Sequence, residues 1–315
     1  MGRFLPAYPV YVPSYGRSGS NLTARFLIKD RVPFRLVVQP QELALYTEAL
    51  GDSVDYLVLP RSIKGLLATR NWIKDHSAEE GHVRHWQLDD NIKSVKRLFR
   101  GKRIKCNSGN ALRVCEEFSD RYTNVAVSGL QYEMFLPNGT AHPPFYRNSK
   151  VYSCSLINNA IPHRWRLRYN DDVDLCLQVL ADGWCTVILN AFMIKKVRTM
   201  KVKGGNTPIY QGDGRLEMSR SLERCWPGVV DTKRRWGRPQ HVVKDAWRKF
   251  DNALIRRDDI DWESLRKGGA NEHGMQLVQV APEVKSNDLR KLLQAQAIKP
   301  PGATVSRPTA TDLGS

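Results

Sequence analysis

Two adjacent aspartates and an asparagine follow an apolar-leaning segment in "HVRHWQLDDNI" (82–92). Neighbouring carboxylates repel each other unless a cation or a donor network lies between them. Oxygen ligands at a strand end suit Mg²⁺ or Mn²⁺, which keep positions open for substrate phosphates. An Asp-rich turn that caps the next helix is the alternative. The stretch predicts a divalent metal site, and its candidate ligands are Asp89, Asp90 and Asn91.

Two glycine-containing stretches carry residue types that can hold a nucleotide diphosphate. "PSYGRSGS" (13–20) is a Gly- and Ser-rich turn whose backbone N–H groups and arginine can contact phosphate. In "KGLLATRN" (64–71) a glycine opens a predicted helix, and an arginine follows within two turns. A surface arginine on an ordinary amphipathic helix is the alternative for the second stretch. The candidate nucleotide-binding residues are Pro13, Ser14, Arg17, Lys64, Gly65 and Arg70, together with Asp89 and Asp90 of the first stretch.

A third acidic group opens the predicted helix in "YNDDVDLCLQVLADGW" (169–184). Asn170 or Asp171 can cap this helix, and acidic residues suit a first helical turn. Capping explains one or two of the three carboxylates but not all of them. A carboxylate at this position that faces a metal site can also act as general base toward an acceptor hydroxyl.

Strand and helix patterns alternate through the first 130 residues and would position these groups. An order of strand, helix, strand predicts an α/β fold with a mainly parallel sheet flanked by helices, and ligands bind at the carboxyl ends of such strands. A helix at 107–121, a strand at 124–130, a hairpin around "LPNGT" within 131–160, a helix at 171–184 and a strand at 186–194 follow. The predicted early strands are 8–15, 34–40, 55–60 and 83–88, and the helices are 21–30, 40–50 and 65–80.

The character of the sequence changes after about residue 215. Helices are predicted at 215–225 and 240–256, and a polar tail with a Pro- and Thr-rich end is predicted to be flexible. The predicted organisation is a catalytic domain at 1–215, a basic helical extension at 216–283 and a tail at 284–315.

The charge balance indicates a polyanionic partner. The chain has 49 Lys and Arg against 32 Asp and Glu, a net charge of +17 and a pI near 9.7, which favours nucleic acid over most other partners. A basic protein without such a partner is the alternative. No apolar run approaches the ~20 residues of a membrane span, no secretory leader is recognisable, and no C-x-x-C pair occurs. We expect a cytoplasmic protein.

Three basic runs border the acidic motifs. The segment 93–105 has seven basic residues and no acidic one, and 220–257 has eleven basic against four acidic residues. A third run, "HRWRLR" (163–168), precedes the acidic helix. Arginine and lysine beside aromatic residues suit phosphate contacts and base stacking, whereas a single run is usually a solvated face. The candidate DNA-binding residues are Arg164, Arg166, Lys233, Arg234, Arg235, Trp236 and Arg238.

The order of these motifs resembles that of GT-A glycosyltransferases, which have a Rossmann-like fold. "PSYGR", "GLLATRN", "LDDN" and the acidic helix ending in Gly-Trp carry the resemblance over about residues 8 to 200. "VPSYGR", "LDDNI", "GGNTPIY" (204–210) and "RRWGRPQH" (234–241) are similar to the TET-associated, base-J-type DNA glucosyltransferases of phages and kinetoplastids. One departure is Asn91, which stands where an aspartate is usual in the D-x-D motif.

The resemblance implies transfer of a sugar, with UDP-glucose as the expected donor, to a 5-hydroxymethylpyrimidine in DNA. 5-Hydroxymethylcytosine is the favoured base, and 5-hydroxymethyluracil is the second. Asp89 would contact the donor ribose or the metal, and Asp90 with Asn91 would hold Mn²⁺ or Mg²⁺. Asp172 is the expected general base, with Asp171 as the second candidate, and direct attack would invert the anomeric centre.

Two other functions stay open. One is a GT-A enzyme that acts on a glycan or protein, and the other is a non-catalytic DNA-binding module on the same scaffold. His241 and His273 are possible third metal ligands, although lone histidines are more often structural.

Overall fold

The structure is a computed structural model that describes residues 4–99, 101–139, 142–197, 214–235, 237–243, 250–271 and 273–275. The stretch 204–210, Trp236 and the predicted tail 284–315 lie outside the described residues. In chain order the elements are β1 (Val10–Pro13), α1 (Leu22–Asp30), β2 (Arg35–Val38), α2 (Leu43–Leu50), β3 (Asp55–Val58), α3 (Leu66–Glu79), β4 (Arg84–Leu88), β5 (Ile92–Phe99), β6 (Lys102–Lys105), α4 (Ser108–Ser119), β7 (Val125–Tyr132), β8 (Phe145–Arg147), β9 (Cys154–Asn158), α5 (Asp171–Ala181), β10 (Cys185–Lys196), α6 (Gly214–Cys225), β11 (Val230–Arg235), β12 (Arg238–Val243) and α7 (Trp262–Lys267).

The described strands form a ten-stranded mixed sheet in the order β3-β2-β1-β4-β9-β7-β10-β5-β6, with β8 paired to β10. The first four strands pair in parallel, as the alternating pattern predicts. Strands β7 and β10 are also parallel, whereas β9 runs antiparallel between β4 and β7. The predicted α/β class is confirmed.

Helices cover both faces of this sheet. Leu27 of α1 and Leu112 of α4 are buried in one apolar cluster, while Ile73 of α3 and Leu175 of α5 are buried in clusters formed with the opposite strand faces. Successive strand residues point to opposite faces, so each parallel strand supplies both clusters. The sequences of strands that are buried on both faces are nearly continuous apolar runs.

The strand order sets where a ligand binds. Strand β1 lies between β2 and β4, so the chain first builds outward on one side of β1 and then crosses to the other side. In open α/β sheets a crevice forms outside the carboxyl ends of the strands at such a reversal. Ser14 follows β1 and Asp89 follows β4, so the fold brings the two motifs to this crevice.

The predicted hairpin within 131–160 is wrong. The described residues of the "LPNGT" stretch, 136–139, form a turn after a short 3-10 segment, Glu133–Phe135, and no strand pair flanks it in the described residues. Strand β9 pairs instead with β4 and β7. All five residues of β9 are buried, because a central strand gains more by burial between two long strands than at the edge of a local hairpin.

The predicted helix at 240–256 is also wrong at its start. Strands β11 and β12 pair in an antiparallel hairpin, and Gly237 adopts a left-handed φ of 74° where the chain reverses. Residues 250–255 are not helical. The extension therefore contains α6, this hairpin and the short α7 in its described part. In its described part, the basic run 93–105 forms most of β5, which pairs with β10 and β6, and all of β6, which is the edge strand of the sheet and a place where lysine and arginine are well tolerated.

Within the described ranges, every helix is too short or too polar to span a bilayer.

Candidate active site

A cavity of about 1120 Å³ opens at the carboxyl ends of β1 and β4. It is lined from one side by the loop after β1 and the start of α3, and from the other by the start of α5 and the end of β10. The structure thus brings together the candidate residues for donor, metal and acid–base chemistry. The lining includes Pro13, Ser14, Arg17, Lys64, Gly65, Arg70, Asp89, Asp90, Asn91, Asp171 and Asp172.

Asp90 holds the loop that follows β1. The Ser14 hydroxyl donates to Asp90 Oδ2 at 2.8 Å, and the Arg17 guanidinium forms an ion pair with Asp90 Oδ1. The Tyr46 hydroxyl lies 2.7 Å from Ser14 Oγ and accepts the Arg17 backbone N–H at 3.1 Å. Burial raises the pKa of Asp90, while Arg17 and Ser14 oppose the rise. The loop is therefore fixed with an arginine at the cavity wall.

Asp89 lies between two cations. Arg70 donates to Asp89 Oδ1 at 3.2 Å, and the Lys196 ammonium pairs with Asp89 Oδ2. Burial would raise the pKa of Asp89, but Lys196 and Arg70 outweigh it and lower that pKa to about 2. Burial likewise opposes the charge of Lys196, yet Asp89 raises its pKa above the ordinary value. Lys196 also donates to Ser153 Oγ at 2.8 Å. Asp89 is thus an anion across the physiological range.

Arg70 joins the metal motif to the acidic helix. Gly65, with a left-handed φ of 82°, precedes α3, and Arg70 lies in its second turn with only 3% of its surface exposed. Its guanidinium lies 3.1 Å from Asp171 Oδ2 and 3.5 Å from Asp172 Oδ1, in addition to Asp89. The three carboxylates raise the pKa of Arg70 despite burial. One buried cation therefore organises three carboxyl groups.

The two acids at the start of α5 have unusual acidities. Burial, and then the neighbouring Asp172, raises the pKa of Asp171 to about 7. Burial also raises the pKa of Asp172, while Arg70 opposes the rise. Asn170 is the N-cap residue, but its side chain donates to the Met218 carbonyl at 2.8 Å and does not cap the helix. The acids are therefore available for proton transfer in the cavity.

The third acidic residue of α5, Asp174, has a structural role. Asp174 is fully buried and accepts two hydrogen bonds from Arg166, at 2.9 and 3.0 Å. The Trp226 indole donates to the same carboxylate at 2.7 Å. Trp226 directly follows α6, so Asp174 links α5 to the segment that follows α6.

Asn91 has a side-chain oxygen that the described residues leave unsatisfied. Its side chain is buried, and Oδ1 accepts no hydrogen bond from any described group. A buried carbonyl oxygen beside two carboxylates fits an oxygen-preferring cation. In the described part of the chain, no three His, Cys, Asp or Glu side chains form a group that could hold a metal ion. Asn91 would therefore be needed as the third ligand beside Asp89 and Asp90.

The candidate DNA-binding residues divide into two groups. Arg164 pairs with Asp75 at 2.6 Å, and Arg166 is engaged with Asp174. The other four that the structure describes are exposed on the β11–β12 hairpin, outside the cavity wall. They are Lys233, Arg234, Arg235 and Arg238.

Several cavity residues were not singled out as site residues by sequence reasoning. Lys196 ends β10 and lies two residues beyond the predicted strand. The "GGNTPIY" motif, which follows a few residues later, is the one sequence signal that could have pointed to this lysine. His241 lines the cavity, whereas the other candidate histidine, His273, is buried against Glu117 at 3.1 Å. Other additions include Lys150, Tyr132, Tyr152, Ser153, Arg168 and Arg61.

The solved structures that match this chain are remote in sequence. A197 from STIV is 14% identical, with 61% of this chain and 85% of that chain covered and a TM-score of 0.37. GalNAc-T7 with UDP, GalNAc and Mn²⁺ is 10% identical, with 62% of this chain and 44% of that chain covered and a TM-score of 0.43. A putative glucose-1-phosphate thymidylyltransferase from Bacillus anthracis is 10% identical, with 57% and 85% covered and a TM-score of 0.32.

The family comparison is more direct. No curated protein matches the sequence. The model of the TET-associated glycosyltransferase family matches residues 8–205, which is well over half of the chain and includes every lining residue named above except His241. The chain therefore belongs to the TET-associated glycosyltransferase family and is a glycosyltransferase.

Proposed function

We propose that this glycosyltransferase moves a sugar, glucose in the first instance, from a nucleotide sugar to the hydroxymethyl group of a 5-hydroxymethylpyrimidine in DNA. The observation that carries the proposal is the single cavity in which the Asp89–Asp90 pair and the Asp171–Asp172 pair meet around Arg70. Such a cavity combines a wall for a diphosphate with a base for an acceptor hydroxyl.

The donor diphosphate would be bound by cations that already line the cavity. Arg17, Arg70 and Lys196 line it together, and Lys64 and Arg61 lie at the same wall. Fixed cations aimed at a leaving group stabilise the charge that develops there, and they need no reorganisation during the reaction. As the bond from the anomeric carbon to the diphosphate oxygen breaks, the departing charge would move toward these groups. Expulsion of the nucleoside diphosphate is thereby favoured.

A divalent cation fits the same wall through Asp89, Asp90 and Asn91, and the unsatisfied Asn91 Oδ1 supports this assignment. Bound Mn²⁺ or Mg²⁺ would supply additional neutralisation of the diphosphate. Because Arg17 and Lys196 already pair with the two carboxylates, binding of the ion would compete with these pairs. We therefore expect the affinity for metal to rise in the presence of the nucleotide sugar.

Asp172 would accept the proton of the acceptor hydroxyl while the oxygen attacks the anomeric carbon. Its raised pKa makes it a stronger base, and Arg70 at 3.5 Å keeps the ionised form accessible. Direct attack from the side opposite the diphosphate would invert the anomeric centre. Burial and the neighbouring Asp172 raise the pKa of Asp171 to about 7, so this carboxyl is mostly protonated below neutral pH and is the second candidate for the base.

Exposed cations next to the cavity support DNA as the acceptor. Lys233, Arg234, Arg235 and Arg238 lie on one hairpin, and His241 of that hairpin lines the cavity. A base must leave the duplex stack to reach such a cavity, and phosphate contacts at its mouth would hold the flanking strand. Each phosphate contact removed should lower the log–log salt slope of duplex binding by about 0.9.

Release of nucleoside diphosphate from a panel of nucleotide sugars tests the proposal. The reactions contain Mn²⁺ or Mg²⁺ and duplexes with cytosine, 5-hydroxymethylcytosine or 5-hydroxymethyluracil. We expect release that depends on the hydroxymethylated duplex and is lost in Asp172→Asn. Nucleoside diphosphate release that is the same with and without the hydroxymethylated duplex would indicate that the acceptor is a glycan or a protein. Duplex binding without any release of nucleoside diphosphate would indicate a non-catalytic DNA-binding module.

A further inference from the structure

We propose that Lys150, Tyr152 and the Thr232–His241 face of the β11–β12 hairpin form the subsite for the acceptor base, a pyrimidine that has left the duplex stack. This inference rests on the proposed function, because it assigns the acceptor half of the same cavity. It adds a site for which sequence reasoning gave no candidate residues.

The first wall of this subsite combines an aromatic ring with a cation. Lys150 Nζ lies 5.7 Å from the centre of the Tyr152 ring, and both residues line the cavity. In the described part of the chain, Lys150 forms no ion pair, unlike Arg17, Arg70 and Lys196. A half-buried ammonium without a counter-ion is suited to an acceptor atom on a ligand.

The second wall is one face of the hairpin. Thr232 and His241 are directly opposite each other across the two strands, so their side chains share a face. Thr232 Oγ1 and His241 Nδ1 are both buried, and neither has a hydrogen-bond partner among the described groups. Two orphaned polar atoms on a face that reaches the cavity point to a polar ligand, because buried polar atoms are otherwise nearly always paired.

The position of the two walls fits an acceptor and not the nucleotide. Asp172 lines the same cavity as Tyr152 and Tyr132, whose rings are 4.5 Å apart. The candidate nucleotide-binding residues Ser14 and Arg17 belong to the loop after β1. A hydroxyl held near Asp172 would thus carry its parent ring against Tyr152.

The chemistry of the walls suits a planar base that carries carbonyl oxygens. Tyr152 offers a ring face for stacking, and base–aromatic stacking tolerates any base. Lys150 can donate to a pyrimidine carbonyl oxygen. Burial, and then the charge of Lys150, lowers the pKa of His241 to about 4, so the imidazole is neutral and can donate or accept. Arg234 lies on the same hairpin face two residues from Thr232, about 7 Å along the strand, where it can reach a flanking phosphate.

The test compares free nucleosides with duplexes as acceptors. Calorimetry measures the affinities of Lys150→Met, Lys150→Arg, His241→Ala and Thr232→Val for 5-hydroxymethyldeoxycytidine, 5-hydroxymethyldeoxyuridine and hydroxymethylated duplexes. Lys29→Met, which replaces an exposed lysine on α1, is the matched control. Thermal unfolding identifies any variant that does not fold.

We expect Lys150→Met to weaken nucleoside and duplex binding by a similar factor, about tenfold or more, and His241→Ala by about fivefold. Lys150→Arg should recover part of the loss, and the affinity for the nucleotide sugar should stay at the wild-type value. A loss for the duplex alone, with a smaller salt slope, would make Lys150 a phosphate contact and overturn the assignment. Weaker nucleotide-sugar binding would place the residues in the donor site and also overturn it. Selective loss of nucleoside affinity in a protein that transfers no sugar would keep the subsite and refute the proposed function instead.

Discussion

The guanidinium of Arg70 is the group on which the site depends most. It is 3% exposed and lies 3.1 to 3.5 Å from carboxylate oxygens of Asp89, Asp171 and Asp172. In Arg70→Met these three carboxylates lose their shared cation. Removal of one partner from a buried ion pair costs about 3–5 kcal/mol, and we expect the upper part of this range because three anions are affected. A typical domain has only about 5–15 kcal/mol of stability.

The loss should depend on pH in a defined direction. Without the guanidinium, the folded-state pKa values of Asp171 and Asp172 rise further above their unfolded values, and the lowered pKa of Asp89 rises toward its unfolded value. A carboxyl with a raised folded pKa makes the folded state bind extra protons, so stability falls as pH rises through that pKa. The deficit of Arg70→Met should therefore be largest at about pH 8 and smaller at about pH 6.

Urea unfolding followed by tryptophan fluorescence measures this deficit at both pH values. Arg70→Lys retains the charge but loses the planar fork that can contact several carboxylates, so we expect an intermediate loss of stability. Arg25→Met, which replaces an exposed arginine on α1, should change stability by no more than about 0.5 kcal/mol. A deficit for Arg70→Met that is below about 1 kcal/mol, or equal at the two pH values, would refute the assignment of Arg70 as the shared counter-ion.

Four further substitutions test other parts of the structure. Asp172→Asn should lower kcat by about 10²–10⁴-fold, as expected for a lost general base, while nucleotide-sugar affinity measured by calorimetry is retained; normal turnover would assign the base elsewhere. Asp171→Asn should raise Tm more at about pH 8 than at about pH 5. The folded-state pKa of Asp171, about 7, lies above the unfolded value, so the charged carboxylate lowers the stability of the wild-type protein as pH rises through that pKa. An equal change in Tm at both pH values would contradict the raised pKa. Glu116→Gln should lower the free energy of unfolding, measured in urea, by about 1–3 kcal/mol. Two backbone N–H groups and an indole N–H donate to the buried carboxylate, and a glutamine N–H would face one of these donors. An unchanged free energy of unfolding would indicate a water-filled site. Trp226→Phe removes one donor to buried Asp174 and should increase proteolysis after α6 without altering nucleotide-sugar affinity; unchanged cleavage would show that the extension is held by other contacts.

Much of the site was predictable because its residues lie at the ends of strands or the starts of helices. Ser14, Gly65 and Asp89 each follow an apolar strand or begin a helix in a regular alternation, so local pattern places them at one edge of the sheet. The glycine at position 65 was informative because its φ of 82° suits few other residues. These features are local, and sequence periodicity reports local structure well.

The parts that escaped prediction depend on contacts between distant segments. Lys196 reaches Asp89 only because β10 runs two residues past its apolar core. Strand β9 pairs with β4 and β7 across long sequence separations, and the turn signal in "LPNGT" favours a local hairpin instead. The segment 238–243 has too many polar residues to show a clear strand pattern, and its partner β11 decides its conformation.

Mass spectrometry of nucleosides from digested duplexes tests the central claim most directly. Duplexes with cytosine, 5-hydroxymethylcytosine or 5-hydroxymethyluracil are incubated with the protein, Mn²⁺ or Mg²⁺ and UDP-glucose or other nucleotide sugars. Our account predicts a sugar-sized mass gain on a hydroxymethylated base, none on cytosine and none with Asp172→Asn. Steady release of nucleoside diphosphate while every nucleoside keeps its mass would contradict DNA as the acceptor.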